Sequence, residues 1–449
     1  MTSESVELPK TLRQRVISAG GWALGGYAIG QVLRLASNLI LARLLFPEAF
    51  GIMAIAGAIY VGVVMLTDVG IGQSIIVHQD GGDDLFLDTA WVLQIIKGTL
   101  IAVILALGSG WAADFYADKR LHEIVLIIAA TALIGGFNST KLQTAHRNMQ
   151  ERQFFLVNLV SQAVSIVTMV ALAFLNKSPS SLAWGGVAGA IFTCATSHFY
   201  YPGRLNRLRL DRSHTHQIMR FGGIVLVSST LTFACGEGSK LLMGSLIDMK
   251  TMGIISIATS LSGLCVGMAT MLSGRILFPA YAELHREAAY CKLYSAVSKA
   301  RAVQIIFMCA VSIIIIFISR PLIGFFYDSR YSEVAAILEI MAIGNLAVAL
   351  NVSYECLDMA IGRPDLKIRV VIVMAASLWA AVFIGHHYWG SMGVIYGIAA
   401  SGWLSYPFIS YIYSRVGFWY PKIDFPVIVM SIVAVIIAVR LGHGLPEFI

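Results

Sequence analysis

Charged residues are scarce in this sequence: Asp, Glu, Lys and Arg make up 13% of its 449 residues, whereas 57% are hydrophobic. Soluble domains are about a quarter charged and about half apolar. The mean hydropathy of +0.77 lies far on the apolar side. This shortage of charge excludes a soluble globular protein and predicts an integral membrane protein.

Paired cysteines and cofactor motifs are also lacking. The six cysteines lie mostly in apolar runs without CxxC spacing, which predicts small core residues and neither a metal site nor a disulfide framework. No nucleotide-binding loop is present, so direct use of ATP is not expected, and we predict no cofactor. Residues 1–16 lack the features of a signal peptide, so the first apolar segment is expected to be retained.

Apolar segments long enough to cross a bilayer occur thirteen times. Because backbone in lipid must satisfy its own hydrogen bonds, these segments predict an all-α polytopic membrane protein. The predicted spans cover 18–45, 51–77, 89–111, 121–143, 154–176, 183–201, 221–247, 252–279, 300–325, 334–360, 366–388, 391–414 and 425–441.

The distribution of Lys and Arg predicts the orientation. A cytoplasmic N-terminus places 21 of the 32 basic residues on the cytoplasmic side and 8 on the other side, with 3 inside spans. The basic segment 204–220 is then expected to meet anionic lipid headgroups, and no nucleic-acid partner is predicted.

An internal repeat divides the chain. A shift of 202 residues aligns FGIMAIA at 50–56 with MGIISIA at 252–258. Six spans separate the equivalents, so we expect two six-helix lobes related by a pseudo-two-fold along the membrane normal, plus about one extra C-terminal helix. The predicted units are an N-terminal lobe (1–203), a basic cytoplasmic linker (204–220), a C-terminal lobe (221–414) and an extra span (415–449).

A cation lies deep inside the first predicted span. Arg34 follows the start of that span by about 25 Å at 1.5 Å per residue, and it shares one helical stripe with Tyr27, Gln31 and Asn38. A central Arg is costly in lipid, so it should face a partner or a wet cavity.

Two more cations lie within spans. The repeat aligns Asn38 with Lys240, and Lys97 lies on the third span, so the three cations could converge between the lobes. Purely structural roles stay open: Arg34 could pair with Glu237 or Asp68, Glu237 with Lys240, and Lys97 could reach the interface.

Acidic residues within or beside spans are candidates for ion coupling, although structural roles are equally open for them. These residues are Asp68, Glu237, Glu339, Glu355 and Asp358.

Three runs carry a family resemblance: LARLLFPEAFGIMAIA at 41–56, TDVGIGQSIIV at 67–77 and TAHRNMQERQF at 144–154. With the duplicated halves, the chain resembles the polysaccharide transporter branch of the multidrug/oligosaccharidyl-lipid/polysaccharide exporter superfamily. The resemblance implies alternating access by two lobes and movement of polyisoprenoid-diphosphate-linked oligosaccharides across the inner membrane of a bacterium, without enzymatic activity.

This resemblance suggests roles for the polar residues. Arg34, Lys240 and Lys97 would hold the diphosphate through charge-assisted hydrogen bonds. The glycan would meet polar positions in the cavity: Tyr27, Gln31, Asn38, Gln94, Asn138, Asn345 and Asn351. Membrane lipids, a polysaccharide polymerase and assembly proteins are the further candidate partners.

Other functions remain open at this stage. A cation-coupled multidrug exporter would have the same architecture, but Arg34 on the first helix does not suit a pocket for cationic drugs. A polytopic glycan polymerase or ligase should carry catalytic residues on large outer loops, whereas the longest loop here is the basic cytoplasmic one. A scaffolding protein would leave the cations inside spans unexplained.

Overall fold

The computed structural model describes residues 12–148 and 151–440, and within these ranges the chain is almost entirely helical and contains no strand. The prediction of an all-α polytopic membrane protein is confirmed. The first half comprises α1 Leu12–Leu44, α2 Pro47–Leu66, α3 Ile71–Val77, α4 Asp84–Phe115, α5 Arg120–Gly136, α6 Lys141–Arg147, α7 Glu151–Asn176 and α8 Ser180–Phe199.

The second half begins inside the predicted linker, at Arg212. Its helices are α9 Arg212–Cys235, α10 Glu237–Leu246, α11 Met249–Leu272, α12 Phe278–Arg286, α13 Tyr290–Phe326, α14 Glu333–Val352, α15 Leu357–Ala360, α16 Pro364–Ser414 and α17 Pro421–Arg440. A π-helical turn, Ser273–Leu277, joins α11 to α12, and a short 3₁₀ turn, Ser329–Tyr331, precedes α14.

Within the described residues, every predicted span lies mostly on helix. By length and hydropathy, seven of the described helices can cross a membrane, and the bent pair α5 and α6 passes the same test as one span. Predicted spans eleven and twelve are the two helical parts of α16, which are joined by a sharp turn at Gly390, where φ is 58° and ψ is −138°. The two parts pack against each other, because a Cβ on Gly385 would lie 2.0 Å from the Gly393 carbonyl oxygen.

Four predicted spans are interrupted, which the hydropathy pattern did not indicate. The second ends at Leu66, and Gly70 takes a left-handed φ of 60° before α3. The fourth bends by 66° between α5 and α6. The seventh breaks at Gly236, whose φ of −96° and ψ of −93° are not helical. The tenth is broken between α14, which ends at Val352, and α15, which begins at Leu357. Polar residues and glycines at these points end the helical hydrogen bonding inside otherwise apolar runs.

Neighbouring helices within each half pack closely, α4 on α5 and α7 on α8 in the first half and α13, α11 and α16 on α14 in the second. α2 connects the halves, since it packs against α9, α10 and α11. One hydrophobic core cluster contains residues of both halves, among them Ile52 and Ile254, which the 202-residue shift relates. The two lobes therefore meet along α2.

Candidate functional site

The polar stripe of α1 is the part of the predicted site whose cation has no partner in the described part of the chain. Gln31 Nε2 donates to Tyr27 Oη at 2.7 Å. Arg34 is exposed, and its side chain has no hydrogen-bond or ion-pair partner among the described residues. Asn38 is half-buried on the same stripe. The stripe thus combines one free cation with groups that can hydrogen-bond a ligand.

The stripe reaches the second half of the molecule at Tyr27. A Cβ atom on Gly267 of α11 would lie 1.9 Å from the Tyr27 hydroxyl oxygen, so the glycine is what allows this close approach. α1 also packs on α7, where Gln162 Nε2 donates to the Gly30 carbonyl at 2.9 Å. These contacts on two sides orient the helix that carries Arg34.

Lys97 is neutralised by Asp68. Its Nζ lies 2.8 Å from Asp68 Oδ1, and both side chains are about one-fifth exposed, at 19% and 22%. Asp68 also accepts from the Gly70 N–H at 3.2 Å and from the Ser229 hydroxyl of α9 at 3.4 Å. The Asp68 carboxylate therefore joins the break after α2 to the first helix of the other half.

Lys240 is neutralised within its own helix. Its Nζ lies 2.8 Å from Glu237 Oε1, three residues earlier, just after the break at Gly236. The structural alternative considered for this pair is therefore present. The described contacts include none that joins Arg34, Lys97 and Lys240 to one another.

The candidate amides beyond α1 mostly have protein partners. Gln94 Nε2 donates to the carbonyls of Gly135, Gly136 and Asn138, which it braces at the bend between α5 and α6. The amides in α14 are buried: Asn345 donates to the Ser262 carbonyl at 2.9 Å and Asn351 to the Ser405 hydroxyl at 3.4 Å. Gln94 thus supports the bend, and the α14 amides connect helices of the second half.

The candidate acids of the second half also lie among protein groups. Glu339 is buried, accepts from the Ser319 hydroxyl at 2.8 Å and pairs with Arg320 at 3.3 Å. Asp358 is fully buried and faces the hydroxyl of Tyr413, which lies 2.8 and 3.0 Å from its two oxygens. Glu355 is half-buried next to it.

A buried ion pair, Arg301 with Asp424, was missed by the sequence analysis. Arg301 Nη2 lies 2.6 Å from Asp424 Oδ1, and both side chains are essentially inaccessible. Arg301 also donates to the Leu350 carbonyl at 2.8 Å and lies 3.8 Å from the centre of the Tyr354 ring. Both residues stand at predicted span ends, where charge is ordinary, so no sequence signal marked them. The pair attaches α17 to α13.

The predicted linker is anchored on the first half. Arg204 lies 2.8 Å from Asp88 Oδ2, and the N–H of Arg207 donates to Asp88 Oδ1 at 2.9 Å. The N–H of Asp211 donates to the Thr89 hydroxyl at 3.1 Å. Residues 204–211 are therefore held against α4 before α9 begins.

The described part of the chain contains no group of three or more His, Cys, Asp or Glu side chains able to hold a metal ion.

Comparison with protein families identifies the chain. A family model described as polysaccharide biosynthesis protein matches residues 40–336. The chain belongs to this polysaccharide biosynthesis family.

Curated relatives agree with this family. The chain is 21% identical to the lipopolysaccharide biosynthesis protein WzxC of Escherichia coli (strain K12), over 86% of this chain and 78% of the relative. It is 22% identical to the teichuronic acid biosynthesis protein TuaB of Bacillus subtilis (strain 168), over 72% and 67%. The two relatives are thus named for the biosynthesis of lipopolysaccharide and of teichuronic acid.

Solved structures share the fold. An inward-facing multidrug resistance MATE family transporter of the MOP superfamily matches with a TM-score of 0.69 and 15% identity, over 86% of this chain and 94% of that one. The inward closed conformation of the lipid II flippase MurJ matches with a TM-score of 0.69 and 12% identity, over 96% and 93%. The expected fold with two lobes is confirmed.

Proposed function

We propose that this protein of the polysaccharide biosynthesis family translocates polyprenyl-diphosphate-linked oligosaccharides across the bacterial inner membrane, from the cytoplasmic to the outer side. Its N-terminus lies on the cytoplasmic side. It is a transporter and not an enzyme. The lobes rock around a central site by alternating access. Membrane lipids surround it, and a polysaccharide polymerase and assembly proteins receive its product.

The observation that carries this proposal is the state of Arg34. Among the three cations predicted within spans, Lys97 and Lys240 have carboxylate partners at 2.8 Å, whereas Arg34 has no partner among the described residues. A central Arg without a counter-ion is costly in lipid. An anionic substrate would neutralise Arg34 and so explain why this position carries an arginine. A diphosphate supplies that anion, because guanidinium binds phosphate oxygens with two parallel hydrogen bonds.

The neighbours of Arg34 suit the glycan. Tyr27, Gln31 and Asn38 offer hydroxyl and amide groups on the same stripe, and such groups hydrogen-bond sugar hydroxyls. The close approach of Tyr27 to Gly267 of the second half supports a site on this stripe. Membership of the polysaccharide biosynthesis family supports the same substrate class, and so does the shared fold with a lipid II flippase.

The packing between the halves supports alternating access. Near the start of α2, the backbones of α2 and α11 approach each other so closely that glycines are needed at positions 51 and 253. With a cytoplasmic N-terminus this contact lies on the outer side. We therefore assign the described arrangement to a state that is closed towards the outside.

A cation-coupled multidrug exporter of the same fold is the second candidate, and the match to a MATE transporter favours it. Its pocket would need free carboxylates for cationic drugs. Asp68 and Glu237 are already paired with lysines, and Glu339 is paired with Arg320. Asp358, which is buried against Tyr413, is the stronger candidate for binding a coupling proton or cation in either exporter.

Reconstituted vesicles test the proposal. A fluorescent polyprenyl diphosphate disaccharide is placed in proteoliposomes, and its crossing is followed by the loss of signal to a membrane-impermeant quencher. Arg34→Gln should reduce the rate at least about tenfold, because a hydrogen-bonded charge pair contributes about 1.5–3 kcal/mol. Arg34→Lys should retain part of the rate, since it keeps the charge.

Arg43→Gln is the matched control, because Arg43 is exposed near the end of the same helix and the charge change is the same. Its rate should equal that of the parent. If Arg34→Gln is as fast as the parent, Arg34 has no part in translocation. If the parent moves a cationic dye and not the glycolipid, the drug-exporter function replaces this proposal.

A further inference from the structure

An apolar groove opens between the two halves, away from the α1 stripe. It has a volume of about 600 Å³. α2 and α4 form one wall with Gly62, Gly108 and Trp111, and the second half forms the other with Phe233, Leu241 and Trp379. These residues lie in segments predicted to span the membrane, so the groove lies at the depth of the hydrocarbon.

Polar atoms in the groove walls are already hydrogen-bonded. Trp379 Nε1 donates to the Ala234 carbonyl at 3.0 Å, next to the helix break at Gly236. Tyr116 Oη donates to the Leu241 carbonyl at 3.1 Å, and Ser245 Oγ to the Leu242 carbonyl at 2.7 Å. The walls therefore leave only hydrocarbon and aromatic surface for an occupant, which must itself be apolar.

Glycines line the groove on three of its helices. Gly62 of α2, Gly108 of α4 and Gly238 of α10 all line it. A Cβ on Gly62 would lie 2.7 Å from the Phe233 ring, whereas a Cβ on Gly108 would meet no atom within 4 Å. A polyisoprenoid bears regularly spaced methyl branches and needs a wider channel than a straight acyl chain. The missing side chain at Gly108 provides that width, whereas Phe233 fills the space beside Gly62.

α10 separates this groove from a charged surface. Gly238, Leu241, Leu242 and Ser245 share the groove face. At 100° per residue, Lys240 points about 150° away from the centre of that face. Its partner Glu237 is the first residue of α10 after the break at Gly236, and Lys240 lies three residues further along. One short helix therefore has an apolar face on one side and a cation on the other.

We propose that the groove binds the polyisoprenoid chain of the lipid-linked glycan, while the diphosphate lies on the opposite face of α10 within reach of Lys240. This inference rests on the proposed function and assigns a site to the lipid part of the substrate. The polyisoprenoid chain is bonded directly to the diphosphate, so one lipid molecule must reach both faces of α10. It does so by passing around the end of α10 at the break at Gly236. Because both halves form the groove, its occupation depends on how the lobes are arranged.

Groove filling is the test. Gly108→Leu places a side chain into open space in the groove, whereas Gly110→Leu is the matched control on the same helix: its Cβ also meets nothing within 4 Å, but residue 110 does not line the groove. Binding of three probes to the purified full-length protein is measured: polyprenol, polyprenyl diphosphate and inorganic diphosphate.

Gly108→Leu should weaken the binding of both prenyl probes at least about tenfold, the factor expected if leucine displaces two or more methylene contacts. It should leave inorganic diphosphate binding unchanged. Lys240→Gln should weaken the two diphosphate probes and leave polyprenol binding unchanged. Gly110→Leu should match the parent with all three probes.

Unchanged prenyl binding by Gly108→Leu overturns the inference, because the chain then lies elsewhere, while the proposed function stands as long as the parent binds polyprenyl diphosphate. Equal weakening by Gly108→Leu and Gly110→Leu also overturns it. If a phospholipid displaces polyprenol from the parent at equal concentration, the groove is a general lipid site and the assignment to polyisoprenoid is wrong. A parent that binds no prenyl probe contradicts the proposed function itself.

Discussion

Gly51 and Gly253 face each other across the pseudo-two-fold axis that relates the two halves. A Cβ on Gly51 would lie 2.0 Å from the Met249 carbonyl oxygen, and a Cβ on Gly253 would lie 1.9 Å from the Pro47 carbonyl oxygen. The repeat shift of 202 residues relates Gly51 to Gly253 and also Pro47 to Met249. Such reciprocity is the signature of an isologous, two-fold contact.

Alanine at either glycine should separate the lobes at this contact. Real Cβ atoms are essentially never found within 3.0 Å of a non-bonded atom. Here both contacting atoms are backbone carbonyl oxygens, which cannot rotate away as a side chain can. We expect Gly51→Ala and Gly253→Ala to lower the thermal unfolding midpoint and to increase the distance between spin labels on the two lobes at this end.

Gly57→Ala on α2 and Gly263→Ala on α11 are the controls, because a Cβ at either position meets nothing within 4 Å. They should be neutral or slightly stabilising, since Ala favours helix over Gly by about 1 kcal/mol. If all four variants behave alike, the contact at Gly51 does not hold the lobes together.

The repeat and the spans could be predicted because both depend on local patterns. The alignment of 50–56 with 252–258 marked the position at which α2 and α11 meet. The interruptions at Gly70, Asn138 and Gly236 were not predicted, because hydropathy averages over them. The backbone groups left free at such breaks are hydrogen-bonded by residues far away in the sequence. Gln94, for example, donates to carbonyls more than forty positions along the chain.

The sequence shows which charged residues lie within spans, but it does not show which residues distant in sequence pair with them. Lys97 and Asp68 are 29 positions apart, and Arg301 and Asp424 are 123 apart. Tertiary packing alone brings such residues together. The local pair Glu237 with Lys240 was foreseeable from its spacing of three residues. The free state of Arg34 depends on every neighbour of α1 and needed the structure.

Breaking the Arg301 pair should be strongly destabilising. Asp424 is 1% exposed and accepts from Arg301 and, at 2.7 Å, from the Tyr406 hydroxyl, so removing one partner leaves a buried charge uncompensated. Arg301→Met or Asp424→Leu alone should cost on the order of 3–5 kcal/mol. Thermal unfolding followed by intrinsic fluorescence measures the loss.

The double variant Arg301→Met with Asp424→Leu should be more stable than either single variant, because no charge is then left buried. Arg363→Gln is the surface control, since its pair with Asp365 is half exposed, at 48% and 43%; it should change stability by less than about 1 kcal/mol. A double variant that is as unstable as the sum of the singles contradicts this account.

The turn between α4 and α5 should respond to acid. Arg120 donates to Asp118 through its side chain, which lowers the pKa of that carboxyl below the usual value, and burial opposes this only in part. A lowered pKa means that the stabilisation is complete above the usual Asp pKa of about 3.9 and is lost as the pH falls through the folded-state pKa.

Thermal midpoints between pH 7 and pH 3 provide the measurement. Asp118→Asn should lie below the parent by a constant amount above about pH 5, and the gap should close towards acid as the parent carboxylate is protonated. Asp114→Asn is the control, because Asp114 is exposed and has no side-chain partner among the described residues. A gap that does not change with pH would show that Asp118 acts through packing alone.

Releasing Lys97 from Asp68 tests whether Lys97 belongs to the diphosphate site. In Asp68→Asn the lysine loses its counter-ion at 2.8 Å. If Lys97 borders the site, the freed ammonium should bind the ligand, and the affinity for polyprenyl diphosphate should rise about tenfold or more, because a charge-assisted hydrogen bond contributes about 1.5–3 kcal/mol. Adding Lys97→Gln to this variant should return the affinity to the parental value.

Glu333→Gln is the matched control for this prediction, because it frees Lys250 from a partner at 3.1 Å at a half-exposed position between α11 and α14. A lysine released there has no reason to meet the ligand, so the affinity should stay unchanged. If Asp68→Asn also leaves the affinity unchanged, Lys97 serves only to hold Asp68 beside Ser229, where it helps join the halves. The anion would then depend on Arg34 and Lys240, and the net charge of the site would be set by one free guanidinium and one exchangeable ion pair.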